Sequence, residues 1–330
     1  MAKANNSAND YQLPFEKPII RLYNQISELE QSQSESGRDY GSEIRKLRSQ
    51  YVSLLRKTYQ NLSPWETVQV ARHPDRPQSD NYIDAIVQNW VEVHGDRRFA
   101  DDKALLTGMG RIGTEKVMIL AQQKGHDTKE KLTRNFGMCH PEGYRKALRV
   151  MKMAEKFQLP VVTFIDTAGA YPGLGSEERG VAEAIARNLM EMGRLKTPIV
   201  CIVIGEGGSG GALGIGVGDR MAMLEYSWYS VISPEGCASI LWRTGEKAAD
   251  AAEAMKITAR KLKELDVIDD IIPEPLGGAH RDPAEAAHNL ERHIVNTLRE
   301  LKRVPVDRLL EHRYQRWRRM GKFEKVESAG

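Results

Sequence analysis

Glycine in this chain gathers where two apolar runs end. Thirteen of the 28 glycines fall within residues 169–218, most of them in Asp166–Gly175 (DTAGAYPGLG) and Gly205–Gly218 (GEGGSGGALGIGVG). Each segment directly follows a short run rich in β-branched residues, VVTFID at 161–166 and IVCIVI at 199–204. Such runs have the length and composition of strands buried on both faces. Glycine weakens any regular element it enters, so this density needs a reason. Either backbones touch there, or backbone N–H groups approach a ligand. Loops at the carboxyl ends of parallel strands are where α/β proteins bind ligands. A membrane span over Thr197–Gly218, where Glu206 is the only charge, is opposed by the glycines that split the stretch.

The rest of the chain supplies partners for these strands. KVMILAQ (116–122), MAMLE (221–225) and YSVIS (229–233) read as further strands, and Pro141–Phe157 and Ser176–Leu195 as helices between the earlier ones. That alternation predicts an α/β fold of βαβ units with a mainly parallel sheet and right-handed crossovers. Upstream, residues 1–15 read as a polar tail. Ile19, Leu22, Tyr23, Ile26 and Leu29, then Ile44, Leu47, Tyr51, Leu54 and Leu55, mark two amphipathic helices in a hairpin around the polar Gln31–Gly41. Arg72–Asp80, rich in Pro and Asp, reads as a linker and Tyr82–His94 as another amphipathic helix. Residues 246–266 and 282–303 read as helices, and a basic helical tail follows Val304. The expected organisation is therefore a helical hairpin and linker over 1–80, a core over 81–300 and a helical tail over 301–330.

Composition excludes several classes. Lys and Arg number 48 against 45 Asp and Glu, a net charge of +3 that makes no case for nucleic acid. The three cysteines, Cys139, Cys201 and Cys237, are odd in number and form no CxxC, so neither a disulfide framework nor a cysteine-rich zinc site is expected. No apolar signal segment opens the chain, and the expectation is a cytoplasmic protein with reduced thiols, off the membrane. His126, His140 and His280 have no further ligands at metal spacing, and no metal site is expected. Arg313–Arg319 (RYQRWRR) reads as a terminal helix packing its aromatics on the core rather than as a nucleic-acid element.

The second glycine loop fits three patterns. Gly205, Gly207 and Gly210 spell GxGxxG, but too few residues precede the next strand for a full crossover helix. Gly207, Ser209 and Gly211 spell GxSxG, the nucleophile elbow of serine hydrolases, with Asp266, Asp269 or Asp270 and then His280 downstream in the matching order. The third reading is an oxyanion hole. A Gly210–Gly211 pair opening a helix points two free N–H donors at one oxygen, helped by the helix dipole. Removing such a donor typically costs about 10²–10³ in rate.

Several longer motifs carry a family resemblance. Lys124–Met138 (KGHDTKEKLTRNFGM), DTAGAYPGLGSEERG, GEGGSGGALGIGVGD, Tyr229–Trp242 (YSVISPEGCASILW) and Ile272–Pro283 (IPEPLGGAHRDP) together resemble the carboxyltransferase alpha subunits of bacterial and plastid acetyl-CoA carboxylase. The resemblance runs in order from about Tyr11 to Arg318. It departs at Ala168, where the family commonly has proline. It implies a crotonase-type (ClpP/crotonase-like) fold with an N-terminal helical extension and a C-terminal helix. It also implies transfer of a carboxyl group from carboxybiotin, borne by a biotin carboxyl carrier protein, to acetyl-CoA to give malonyl-CoA for fatty-acid synthesis. The implied assembly is α2β2 with a beta subunit, beside biotin carboxylase, with no covalent cofactor and no zinc on this chain. Gly210 and Gly211 become the oxyanion hole facing the biotin urea oxygen. Lys124, Gly125, Thr167, Ala168, Gly169, Gly207 and Gly208 become substrate-binding positions. Residues 124–152, with eight Lys/Arg against three Asp/Glu, suit CoA phosphates, the biotin carboxylate, an acidic carrier or simply solvent. A serine hydrolase built on Ser209 is the alternative.

Overall fold

The computed structural model describes residues 11–321. Positions 1–10 of the expected polar tail and 322–330 of the expected basic tail lie outside the described residues.

A 3-10 turn at Pro14–Glu16 leads into α1 (Lys17–Ser36) and α2 (Gly41–Gln60). Gly37, in the left-handed region at φ +66°, closes α1 and lets the chain reverse. The expected hairpin is thus present. It buries Ile19, Leu55 and Tyr59 with Leu13, Val70 and Tyr226 in a small core of its own. α3 (Pro64–Ala71) starts on a reciprocal cap between Ser63 and Glu66, and α4 (Ser79–Ile86) follows.

Among the described residues the eight strands are β1 (Val87–Glu92), β2 (Leu105–Ile112), β3 (Glu115–Gln122), β4 (Val161–Thr167), β5 (Ile199–Gly208), β6 (Arg220–Leu224), β7 (Trp228–Ser230) and β8 (Asp270–Ile272). They form one sheet in the order β1-β2-β3-β4-β5-β6-β8, with β7 paired to the far end of β5. β1, β2 and β3 are antiparallel, and all other pairings are parallel. The remaining helices are α5 (Thr128–Thr133), α6 (Pro141–Lys156), α7 (Leu174–Glu178), α8 (Val181–Arg194), α9 (Ser209–Leu213), α10 (Pro234–Trp242), α11 (Ala248–Met255), α12 (Ala259–Glu264), α13 (Pro283–Leu301) and α14 (Val306–Arg318).

Alternation along the strands sends side chains into two cores. Met118, Leu120, Ile165, Cys201 and Val203 pack under α6 and α8. Val117, Ile119, Phe164, Ile202 and Ile204 pack under α4 and α13. α13 shows why it sits there. Asp282 caps it by accepting the Glu285 N–H at 2.9 Å, Pro283 opens it, and Ala286, Leu290, Ile294 and Leu298 recur every four residues on the buried side.

Several local expectations are corrected. Tyr82–His94 is not one helix, because it turns into β1 after Ile86. Tyr82, Ile86, Val87 and Trp90 mimic a helical stripe across the junction, and a bulge near Asn89 (φ +54°) spoils the strand alternation. β2 was hidden by Gly108 and Gly110. A side chain at 108 would lie 2.5 Å from the Trp90 ring, and one at 110 would collide with Val87. Gly205–Gly208 are not loop, because they extend β5. The expected strand over 229–233 is the shorter β7. The expected helix over 176–195 breaks at Gly180 (φ +77°), and that over 246–266 breaks at Lys256 (φ +54°). Arg72–Asp80 is no free linker, since Arg76 and Ser79 within it are buried.

Candidate active site

Three parallel strands end side by side. Beyond β3 lie Gln123, Lys124 and Gly125, beyond β4 the turn Ala168–Gly169, and beyond β5 the residue Ser209 and helix α9. Ser209 holds φ +57°, which turns the chain from strand into helix. Thr167 pairs with Gly207 in the ladder, after an irregularity that follows Ile165. Its hydroxyl donates to the Gly169 carbonyl at 2.7 Å and accepts the Gly169 N–H at 3.1 Å, pinning that turn. The Gln122 amide holds both neighbours, donating to the Gly211 carbonyl at 2.8 Å and accepting the Asp166 N–H at 3.2 Å.

The glycines divide by what they face. A Cβ at Gly207 would lie 2.7 Å from the Tyr229 ring. One at Gly208 would collide with the Ala168 carbonyl, and one at Gly211 with the Gly169 carbonyl carbon, 2.5 Å from its oxygen. At these three positions backbone or ring approaches so closely that only glycine fits. Gly210 and Gly169 are different: a methyl at Gly210 meets only Ile185 at 3.6 Å, and one at Gly169 only the Ser209 Cβ at 3.9 Å. Gly210 is half-buried and Gly211 buried. Both N–H groups belong to the first turn of α9, which lacks acceptors four residues back. Among the described residues no acceptor outside that helix takes either of them.

Beside this turn lies a buried ion cluster. The Lys124 ammonium contacts Asp166 Oδ1 at 2.6 Å and Glu206 Oε1 at 2.7 Å. Arg72, at the end of α3, donates from Nε to Glu206 Oε2 at 2.6 Å and reaches Glu235 with Nη1 at 2.5 Å. The Glu206 N–H donates to Asp166 Oδ1 at 2.9 Å. Burial alone would raise the Glu206 pKa, but the charges of Lys124 and then Arg72 override it and hold the carboxyl down at about 2. Burial likewise acts to lower the Lys124 pKa, and Asp166 and Glu206 reverse it to a net rise. Glu206 and Lys124 are thus held in their charged forms and committed to each other, so neither is poised as a general base near neutral pH.

The segment expected to be a linker supplies much of this. Beyond Arg72, the buried Arg76 guanidinium pairs with Glu274 at 2.6 and 2.9 Å and donates to the Ile204 carbonyl at 2.9 Å. Gln78 accepts the Gly125 N–H at 2.8 Å and donates to the Gly125 carbonyl at 2.9 Å. Gly125 is thus buried with both backbone groups engaged, at φ +94°. None of Arg72, Arg76, Gln78 or Asp166 was singled out from sequence. The available signal was Glu206 itself, because a lone charge in an apolar stretch requires buried cations opposite it. The basic stretch 124–152 is largely used internally. Arg145 binds Asp96 and Glu142, Lys146 binds Asp101, Arg149 binds the Gly95 and His94 carbonyls, and Lys152 binds Glu191.

The hydrolase constellation is not brought together. His280 stacks on His73 with ring centroids 3.9 Å apart, and its Nδ1 is buried without a partner. Asp269 binds Arg316 and the Met221 N–H. Among the described residues no group of three or more His, Cys, Asp or Glu is placed to hold a metal ion, and no helix is long and apolar enough to cross a membrane.

A mixed sheet between two helical layers is the fold this chain shares with solved carboxyltransferase structures. The chain aligns with the crystal structure of transcarboxylase 12S at a TM-score of 0.55 and 17% identity, over 79% of this chain and 46% of that one. It aligns with the beta subunit of Pseudomonas aeruginosa geranyl-CoA carboxylase at 0.54 and 15%, over 74% and 46%. Those likenesses speak for the fold. In sequence, residues 12–321 match the acetyl co-enzyme A carboxylase carboxyltransferase-like family. Proteins named acetyl-coenzyme A carboxylase carboxyl transferase subunit alpha are 55% identical in Geobacter metallireducens, over 96% of this chain and 99% of theirs, and 55% identical in Methylococcus capsulatus, over 94% and 97%. The chain belongs to the acetyl-CoA carboxylase carboxyltransferase alpha-subunit family, and the serine hydrolase alternative is not favoured.

Proposed function

We propose that this chain works on carboxybiotin delivered by a biotin carboxyl carrier protein and on acetyl-CoA, giving malonyl-CoA, the first committed product of fatty-acid synthesis, in the cytoplasm. The carrying observation is the pair of amides at Gly210 and Gly211. They open α9, have no acceptor outside that helix among the described residues, and lie in a segment that Gly208 and Gly211 hold by backbone-on-backbone contact with Ala168–Ala170. We assign these donors to the biotin urea oxygen, where they stabilise negative charge as the carboxyl group leaves. Thr167, Ala168 and Gly169 form the facing wall, and Gly207 and Gly208 carry the strand into the turn. Lys124 and Gly125 brace the same end of the sheet.

The residues fit such a substrate. Carboxybiotin supplies the activated carboxyl group and its own basic nitrogen, so the protein need supply no base, and the ion cluster offers none. The chain's task is to place charge-accepting amides and to keep water from the reacting groups. One such hole lies on this chain. The second, for the thioester oxygen, we assign to a beta-type subunit in an α2β2 assembly that works beside biotin carboxylase.

The test is malonyl-CoA formation from acetyl-CoA and carboxylated carrier, with the chain alone and with a beta-type subunit added. Turnover is expected only in the mixture. Robust turnover by the isolated chain refutes the shared site. Ser209→Ala is expected to keep turnover within severalfold, whereas loss of a nucleophile would abolish it.

A further inference from the structure

We infer that Glu206 is a positioning residue: its carboxylate, clamped between Lys124 and Arg72, sets the end of β5 and the first turn of α9 against the Ala168–Gly169 turn. The inference rests on the carboxyl-transfer reading above and names a residue that sustains it from outside the reacting groups.

Three observations carry it. First, Glu206 is a buried charge in an otherwise uncharged strand. A buried ion pair is weak ground for stability, because a well-packed apolar replacement is often as good. Its presence therefore calls for another reason. Second, its bonds join the ends of adjacent strands. The Lys124 ammonium touches both Asp166 on β4 and Glu206 on β5, and the Glu206 N–H returns to Asp166. This clamp lies at the irregularity of the β4–β5 ladder, one residue before Thr167 pairs with Gly207. Third, beyond the clamp the two turns meet backbone to backbone at Gly208 and Gly211, where no side chain fits. A small rotation of the β5 end shifts both amides of α9.

Arg72 extends the clamp outward. It comes from α3, lies 5.8 Å from the centre of the Trp228 ring, and also holds Glu235 in the first turn of α10. Trp228 is the ladder partner of Glu206 on β7. The charged groups facing Glu206 are thus Lys124, Asp166 and Arg72, with Glu235 behind Arg72.

The experiment uses the reconstituted complex with a beta-type subunit. Glu206→Gln keeps the shape and removes the charge. We expect kcat to fall about 10- to 100-fold, as for a displaced reacting geometry, with the KM for acetyl-CoA changed by less than about threefold. Arg72→Met leaves Glu206 with one cation, so its carboxyl protonates more readily and kcat acquires a fall toward acid pH that the wild type lacks. The double variant is expected to lose that acid fall and to be no slower than Glu206→Gln alone. A second readout is independent of the reaction: amide hydrogen exchange across residues 205–214 speeds up in folded Glu206→Gln. Normal exchange there, together with kcat within twofold of wild type, overturns the inference. So do additive losses in the double variant. A wild-type complex with no carboxyl transfer but faster exchange in Glu206→Gln would instead sink the reaction and keep the clamp.

Discussion

Two neighbouring glycines make a matched pair for testing how the site is held. In Gly211→Ala the new methyl collides with the Gly169 carbonyl carbon, 2.5 Å from its oxygen and 2.7 Å from the Ala170 nitrogen, all inside the 3.0 Å that Cβ contacts respect. Every one of these atoms is backbone, so relief requires moving a turn that Thr167 pins by two hydrogen bonds. Overpacking of this kind costs about 1–3 kcal/mol, and the rigid neighbours place it in the upper part of that range. With an unfolding entropy of about 2.1 cal/mol/K per residue over 330 residues, each kcal/mol is worth about 1.5 °C, and the thermal midpoint falls by about 3–4 °C. A displacement of about 1 Å between the turns is also expected to cost about 10²-fold in turnover. In Gly210→Ala the methyl meets only Ile185, at 3.6 Å, and keeps the N–H. Alanine's better helix propensity, worth about 0.5–1 kcal/mol, leaves the midpoint level or slightly higher. Differential scanning calorimetry of the two variants, with steady-state turnover of each complex, makes the comparison. Equal midpoints, or a lower one for Gly210→Ala, would refute the claim that backbone contact dictates glycine at 211 but not at 210.

Arg313→Met should be among the most damaging changes outside the site. The buried guanidinium binds both Asp219 oxygens at 2.7 and 2.8 Å and the Met192, Leu195 and Thr197 carbonyls. Its loss strands Asp219 at a cost of about 3–5 kcal/mol, read as a lower urea midpoint, and Asp219→Asn in the same background should restore part of it. His280 gives a pH test. Burial first, then the neighbouring His73, Arg281 and Arg76, hold its pKa down at about 2, so it stays neutral in the fold. The unfolded chain binds a proton there below about 6.5, so stability falls as pH falls from that point, by up to about 1.4 kcal/mol per pH unit. His280→Gln should lessen the decline between pH 7 and 5 in urea titrations, and an unchanged slope would count against a neutral, buried ring.

The central strands and their helices were readable because their signals are local. Val161–Thr167 and Ile199–Ile204 are buried throughout, so their apolar runs are uninterrupted. The Pro141–Lys156 helix carries Tyr144, Ala147, Val150, Met151 and Ala154 at helical spacing under a proline start. The antiparallel edge was not readable, because its pattern depends on what lies across the ladder. Gly108 and Gly110 are strand residues only because Trp90 and Val87 occupy the space their side chains would need. Arg72–Asp80 misled for a related reason. Proline and aspartate there resemble a linker, while the contacts that bury the segment come from Glu274, 198 positions beyond Arg76, and Glu206, 134 beyond Arg72.

At the site, glycine density announced close approach but not which glycine faces which neighbour. That distinction needs the second turn in place, since Gly211 is dictated by Gly169 and Gly210 is not. Lys124 illustrates the same limit from the charge side. A lysine just past a parallel strand is as well placed for a ligand phosphate as for a neighbouring carboxylate, and sequence position is identical in the two cases. Burial separates them: an ammonium with two carboxylates within 2.7 Å has its charge already compensated, and little is left for a phosphate. The discriminating clue was Glu206, because an anion enclosed by apolar strand residues demands cations from other elements. Two cations lie within reach of the end of β5, one following β3 and one ending α3, so the N-terminal helical region takes part in shaping the site rather than merely preceding it.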